Sequence, residues 1–366
     1  MKVALVHDWL TGMRGGEKVL LSLLRLFPDA PIYTLLHVPG SVDPEIEARR
    51  IRTTFVQRLP AVQRYYRHYL PLFPAAVRSI DLENFDLVIS SSHCVAKGVR
   101  AAPGALHLCY CHTPMRYVWD RYDDYFGPAR LAAPLRPVVR RLARWLRAWD
   151  VHTAAGVHRF AANSAYVAGR IRRYYARDAD VLPPPVDVDF FTPGDAAPGS
   201  YELVVSALVP YKRIELLLEV YGQGDRSLVI VGTGPEQARL RARATPNVRF
   251  LGWVDDARLR ELYRGCRAVI MPGVEDFGIV PLEAMACGRP AIVFSEGGGR
   301  ESVVDGETGV LFHEPTAPAL RASIDSLGHM RFNVGALRRR AEAFGRRQFE
   351  SRFQAFVESA RQQLPC

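Results

Sequence analysis

The feature that most limits the architecture of this 366-residue chain is a steady exchange of short apolar strands and amphipathic helices, broken once by LPPPVDVDFFTPG (Leu182–Gly194). Before the break, VALV (Val3–Val6), DLVISSS (Asp86–Ser92), LHLCYCH (Leu106–His112) and HRFAANS (His158–Ser164) read as buried strands. Helical material separates them, beginning with GGEKVLLSLLRLF (Gly15–Phe27). A second series follows the break: YELVVSAL, RIELLLEVYG, SLVIVGTG, PEQARLRARA, VRFLGWV, ARLRELYRGC and AVIMPGV, then AIVFS and GVLF. Such alternation predicts an α/β protein with parallel sheets covered by helices. One core of this length would be unusually large, so the proline-rich stretch is the natural boundary between two Rossmann-like domains. The expected division is a domain over 1–185, a linker over 186–198, a second domain over 199–345 and a helical tail over 346–366 that packs back towards the first domain. The region from Pro318 to Leu364 is expected to be helical throughout.

Composition narrows the class. Hydrophobic residues at 48% and charged residues at 23% are ordinary for a soluble globular protein. The six cysteines form no CxxC pair, and Cys109 and Cys111 are too close for a usual metal site, which suits a reducing, cytosolic compartment. MKVALVHDWL has too short an apolar run for a signal peptide. No run approaches the roughly 18 apolar residues that span a bilayer. The charge is uneven: residues 1–190 hold 26 Lys/Arg against 17 Asp/Glu, residues 191–366 hold 22 against 21. The basic excess therefore belongs to the N-terminal half and asks for an anionic partner there.

Several stretches could carry chemistry. In EDFGIVPLEAMACGRPAI, Glu275 falls on the loop after a strand, and PLEAMACG reads as a short helix opened by Pro281, with Glu283 in its first turn. Two carboxylates at such a strand end can accept hydrogen bonds from a polyol. A helix-dipole role for Glu283 and a solvated Glu275 are the alternative. Gly15-Gly16 opens a helix after the first strand, where backbone N–H groups suit a phosphate, or merely make a turn. Lys212 and Arg213 stand where a strand gives way to a helix and could neutralise a diphosphate, or simply sit on the surface. His112 ends a first-domain strand and could face a ligand or be structural. The DVD of Asp187–Asp189 lies among prolines with no strand end to present it, so no metal is expected there. The absence of HExxH, GxSxG and GxxxxGK[ST] removes the zinc-protease, serine-hydrolase and P-loop readings.

Taken together, SALVPYKRIELLLE, EDFGIVPLEAMACGRPAI, GGGRESVVDGETGVLF and LPPPVDVDFFTP resemble family 4 of the retaining glycosyltransferases, with the GT-B fold. HDWLTGMRGGEKV and YCHTPMRYVWD look most like bacterial GDP-mannose-dependent mannosyltransferases of surface-polysaccharide assembly. The resemblance implies two parallel-sheet domains facing a central cleft. It implies that Glu275 and the backbone of Phe277, Gly278 and Ile279 hold the donor sugar, and that Glu283 holds the nucleotide ribose. Lys212, Arg213 and the Gly15-Gly16 helix start would take the diphosphate, and His112 would lie near the reacting face. The family often has an arginine shortly before the lysine, where this chain has Ala207. Arg213 is the expected substitute.

The reaction implied is transfer of a hexose, mannose from GDP-mannose, to a lipid-diphosphate-linked oligosaccharide, without a metal or other cofactor. Cations and a helix dipole would stabilise the leaving diphosphate. The rivals are the same fold with a UDP-sugar donor, a nucleotide-sugar-binding protein without activity, and a basic nucleic-acid-binding protein. No nucleic-acid module is recognisable, so nucleic acid is not an expected partner. The arginines of PLRPVVRRLARWLRAWD and of Val56–Phe73 predict peripheral association with an anionic membrane, on the inner face of the cytoplasmic membrane.

Overall fold

The computed structural model describes residues 1–128, 131–195 and 199–363. The chain divides into two units, Met1–Pro185 with Phe349–Cys366, and Val186–Gln348.

The first unit is built on a seven-stranded sheet: β1 (Val3–His7), β2 (Ile32–Thr34), β3 (Ile51–Thr53), β4 (Leu87–Ser92), β5 (Leu106–Cys111), β6 (Arg159–Ala162) and β7 (Ala179–Val181). Their order is β3-β2-β1-β4-β5-β6-β7, and every pairing is parallel. β4 and β5 are buried along their whole length, as sheet centres covered on both faces must be. β2, β3 and β7 have three residues each, too few to show a period. The helix Arg346–Gln362 places Phe349, Phe353, Phe356, Val357 and Ala360 in this unit's core, with the Phe349 ring 5.8 Å from that of Tyr110.

The second unit has six parallel strands: β8 (Tyr201–Val205), β9 (Ser227–Val231), β10 (Val248–Gly252), β11 (Val269–Met271), β12 (Ala291–Phe294) and β13 (Gly309–Phe312), in the order β10-β9-β8-β11-β12-β13. The stretch expected to link the domains contributes to this core. Val186 and Phe191 are buried there, and the Val186 N–H donates to Phe344 O at 2.9 Å.

Each sheet reverses its direction of growth once, between β1 and β4 in the first unit and between β8 and β11 in the second. At such switch points the connections leave in opposite directions and open a crevice beyond the carboxyl ends of the strands, where ligands bind.

The structure corrects three local expectations. The region after Pro318 is not one helical run: Ala317–His329, Val334–Glu342 and Arg346–Gln362 are separate helices. Met330 is extended, and the Asn333 side chain accepts the Ala336 N–H at 3.0 Å to restart the helix. PEQARLRARA reduces to a helix over Gln237–Arg241. The helix after Glu275 runs Ile279–Ala286 and begins before Pro281, because Gly278 takes the left-handed conformation (φ 87°) and caps it. Pro281 is thus third in the helix, where its missing N–H costs no hydrogen bond. Glu283 moves into the second turn.

Candidate active site

At the switch point of the second unit, β8 leads through the turn Pro210–Lys212 into the helix Ile214–Tyr221, and β11 leads to Glu275. The two loops pack backbone on backbone. A Cβ on Gly273 would fall 2.6 Å from Tyr211 O and 2.8 Å from the Lys212 Cα, so only glycine lets them meet. That approach brings the Lys212 ammonium onto the Glu275 carboxylate as an ion pair, with the side chains 13% and 20% exposed. The Glu275 carbonyl in turn accepts the Gly298 N–H at 2.8 Å, which ties the loop to the turn after β12.

The other residues expected near a donor sort around this pair. The Phe277 side chain is buried and its ring lies 5.8 Å from Phe344, so only its backbone can meet a ligand. Gly278 and Ile279 form the start of the helix, whose first-turn N–H groups have no partner within it. Glu283 is 3% exposed, and one of its oxygens accepts the Tyr263 hydroxyl at 2.8 Å. Burial and the neighbouring Glu283 carboxylate push the Tyr263 phenol well above its ordinary range, so it stays a donor. Arg213 stands apart from the ion pair in its contacts. It holds a left-handed backbone (φ 54°), its guanidinium lies 5.2 Å over the Phe294 ring, and its Nη1 is buried with no hydrogen bond. A non-glycine residue kept in that conformation is strained.

The first unit's switch point gathers further polar side chains around His112. Parallel register sets His7 of β1 beside Ser91 of β4, and the His112 N–H donates to Ser92 O at 2.8 Å just beyond β5. Ser91 Oγ lies 3.1 Å from His7 Nδ1 and 2.8 Å from His112 Nε2. His7 Nε2 faces Glu17 Oε1 at 3.7 Å, and the other Glu17 oxygen accepts the Arg14 N–H at 3.0 Å at the start of the helix Gly15–Leu26. Burial works to raise the Glu17 carboxyl, but the neighbouring His7 and His93 imidazoles and a backbone hydrogen bond outweigh it and hold the group below its ordinary range. Asp8 accepts four backbone N–H groups, from His93, Cys94, Val95 and Ala96, and its Oδ2 lies 3.1 Å from His93 Nδ1. A Cβ on Gly16 would sit 3.3 Å from His7 Cε1 and 3.7 Å from His112 Nε2, so the second glycine of the pair makes room for the histidines. The signal available in sequence was that VALVH, LVISSS and LHLCYCH are apolar strands ending in polar residues.

In the DVD motif both carboxylate oxygens of Asp187 are engaged. Asp187 pairs with Arg346 at 2.9 Å and its other oxygen accepts the Phe190 N–H at 3.2 Å. Among the described residues no three His, Cys, Asp or Glu side chains come together as a ligand set.

Residues 13–190 match the family model described as Glycosyltransferase Family 4, and residues 196–348 match Glycosyl transferases group 1. Two glycosyltransferase domain models thus match the chain in tandem, each over less than half of its length. Residues 196–348 hold the Lys212–Glu275 pair, and residues 13–190 hold Ser91 and His112, with His7 lying before the matched stretch. A D-inositol 3-phosphate glycosyltransferase of Segniliparus rotundus is 32% identical over 197 residues, 46% of this chain and 44% of the relative. The match thus spans less than half the length of that protein. Among solved structures, the Anabaena protein HepE in complex with UDP-glucose superposes with a TM-score of 0.72 at 16% identity, covering 98% of this chain and all of that one. Sucrose-phosphate synthase of Thermosynechococcus elongatus gives 0.74 at 16% identity, covering 98% and 99%. These likenesses establish the GT-B fold of the glycosyltransferase domains.

Proposed function

We propose that the protein transfers a hexose from a nucleoside-diphosphate sugar to an acceptor hydroxyl, with retention at the anomeric carbon. The observation that carries this is the Lys212–Glu275 pair at the switch point of the group 1 domain. Breaking a sugar–phosphate bond leaves negative charge on the diphosphate and positive charge on the ring. Lys212 is a compact cation that can exchange its carboxylate partner for phosphate oxygens, and the start of the helix Ile279–Ala286 adds a positive dipole end beside it. Glu275, released from Lys212, then accepts from sugar hydroxyls. Glu283, steadied on one side by Tyr263, accepts from the ribose. No metal is needed in this reading, because fixed cations do its work. The acceptor is assigned in this reading to the first unit, where His112 is the part-exposed member of the polar cluster.

The donor proposed is GDP-mannose and the acceptor a lipid-diphosphate-linked oligosaccharide, on the resemblance of HDWLTGMRGGEKV and YCHTPMRYVWD. A UDP-sugar is the second reading, favoured by the HepE complex with UDP-glucose. The test is a panel of GDP- and UDP-sugars against lipid-linked and phosphorylated polyol acceptors, inositol 3-phosphate included, with and without EDTA, followed by linkage analysis. Transfer from a GDP-sugar in EDTA supports the proposal. Transfer only from UDP-sugars replaces the donor, and no transfer from any donor removes the activity.

Membrane association is proposed for the first unit. On the helix Arg136–Ala154, Leu146 and Trp149 are buried, but Val138 and Trp145 are 65% and 47% exposed, as is Leu135 just before it at 52%. Arg140, Arg141 and Arg144 are exposed alongside them, whereas Arg147 turns back to Val118 O and the Trp119 ring. Tyr65 is exposed with Arg64 over its ring, while Tyr66 and Phe73 join the core. Exposed apolar side chains flanked by arginines suit an anionic bilayer surface. No helix of the described residues is long and apolar enough to cross a membrane.

A further inference from the structure

We propose that the short helix Tyr122–Phe126 is a saccharide platform that holds one pyranose ring of the acceptor; the choice of a sugar acceptor rests on the transfer reaction proposed above. The segment Thr113–Arg121 joins this helix to His112, just beyond β5. Tyr122, Tyr125 and Phe126 stand at i, i+3 and i+4 and so share one helix face. None of the helix is buried: Tyr125 is 37% exposed, and Tyr122 and Phe126 are part exposed. Tyr125 meets Tyr117 edge-on with ring centroids 5.4 Å apart, and Phe126 lies 5.4 Å from Tyr122 and 6.3 Å from Tyr125. Tyr117 and Tyr122 rest in turn on the core of the first unit.

The platform is fastened from behind. The Trp119 indole N–H donates to Asp150 Oδ2 at 2.8 Å, and its ring stacks on Tyr174 at 4.5 Å and 14°. Asp120 pairs with Arg170 and accepts the Tyr174 hydroxyl. Asp150 is fully buried and takes the buried Lys97 ammonium at 2.7 Å. Gly127 stops the helix, since a Cβ there would fall 2.3 Å from Asp123 O. The aromatic face is therefore already ordered, and a ligand meets little of the entropy cost of arranging it.

Chemistry selects the occupant. At about 100° per residue, Asp123 flanks the aromatic arc beyond Phe126 and Asp124 flanks it beyond Tyr125. Asp123 is exposed, and Asp124 faces Arg121 at 3.5 Å. A pyranose offers both partners that such a surface wants. Its C–H face packs on the negative face of an aromatic ring, and its hydroxyls donate to carboxylates at the edge. The two aspartates repel an anionic bilayer, which instead suits Arg140, Arg141 and Arg144 on the helix Arg136–Ala154. A nucleotide is disfavoured here for the same reason.

The experiment is saturation-transfer NMR of the whole protein with mannotriose, maltotriose and methyl α-galactoside. At least one should receive saturation, strongest at the C–H protons of a single ring. Tyr125→Ala should weaken binding about tenfold, and Tyr125→Phe, which keeps the ring, should leave it within about twofold. Asp123→Asn should weaken it about threefold. Nucleotide affinity and thermal unfolding should not move in Tyr125→Ala, because that ring is exposed. No transfer of saturation to any of these sugars, or equal binding by wild type and Tyr125→Ala, overturns the proposal. Anionic-vesicle recruitment that falls in Tyr125→Ala, with no sugar bound, gives the patch to the membrane and also overturns it. These readings need no turnover, so sugar binding without transfer from any donor removes the transfer reaction and leaves the platform standing. With an active donor in hand, Tyr125→Ala should raise the acceptor KM about tenfold with kcat within about twofold. An unchanged acceptor KM in folded Tyr125→Ala overturns the proposal as well.

Discussion

Lys212 and Glu275 are 63 residues apart in the chain and meet as an ion pair because Gly273 has no side chain to hold their loops apart. The pair keeps a cation and a carboxylate ready at one spot, each occupied by the other until a ligand offers both a phosphate and hydroxyls.

Lys212→Ala should lower turnover by about 10²-fold or more, the scale expected when one donor to developing charge is lost. The circular-dichroism spectrum should be unchanged, because Lys212 adds no side chain to the core. Steady-state kinetics of the folded variant checks this, and near wild-type turnover removes Lys212 from the leaving diphosphate.

Glu283→Ala should do two things at once. It should weaken binding of free nucleotide by roughly 1–3 kcal/mol, as for lost charged hydrogen bonds, and it should cost a similar amount of stability by stranding the buried Tyr263 hydroxyl. Calorimetry with GDP and UDP reads the first, thermal unfolding the second. Lost stability with intact nucleotide affinity would leave Glu283 with a structural role only.

Anionic vesicles should recruit the protein, and neutral ones should not. Replacing Arg64, Arg67, Arg140 and Arg144 by Glu should abolish recruitment, at about 1 kcal/mol per basic residue. Trp145→Ser should weaken it with no loss of stability, because that ring is exposed. Co-sedimentation across a salt series measures both. Equal partition onto the two kinds of vesicle makes these arginines an ordinary solvated face.

Acid should weaken the first unit before most carboxylates titrate. His107 is fully buried, with Nε2 2.9 Å from Ser90 Oγ and Nδ1 3.3 Å from Gly156 O, and burial pushes its imidazole down from 6.5 to about 4. Below pH 6.5 the unfolded chain takes up a proton that the folded chain refuses, so stability falls with pH until about pH 4, where both forms are charged. The full loss is about 3 kcal/mol for a shift of this size. Urea unfolding at pH 7.5, 5.5 and 4 measures it, and His107→Gln should show a smaller decline over the same interval. An equal decline in wild type and variant assigns the effect to other groups.

What could be read from the sequence was whatever depends on neighbours along the chain. Val3–Val6 and Asp86–Ser92 announced their strands by composition, and the Glu275 loop was placed by the strand before it and the helix after it. The helix start was misplaced because a left-handed Gly278 as cap competes with Pro281 as first residue, and only the backbone shows which of them won. The burial of Glu283 depends on Tyr263, twenty positions away on another helix. Arg213 looked like a partner for Lys212 by adjacency, yet a left-handed residue sends its side chain elsewhere, here over Phe294. The polar cluster of the first unit was the hardest to see. His7, Ser91 and His112 meet only through the register of β1, β4 and the end of β5, which no local pattern encodes.

The helix that carries Phe349, Phe353 and Phe356 into the first unit has a consequence for biosynthesis. A nascent chain exposes Tyr110 and the apolar side of its sheet as soon as β5 leaves the ribosome. The phenylalanines that cover them are made only after the whole of Val186–Gln348. At about 5–20 residues per second, that delay is roughly 10–30 s. The first unit to be translated is therefore the last to be finished, and a premature stop after Gln348 would injure the half of the molecule already made.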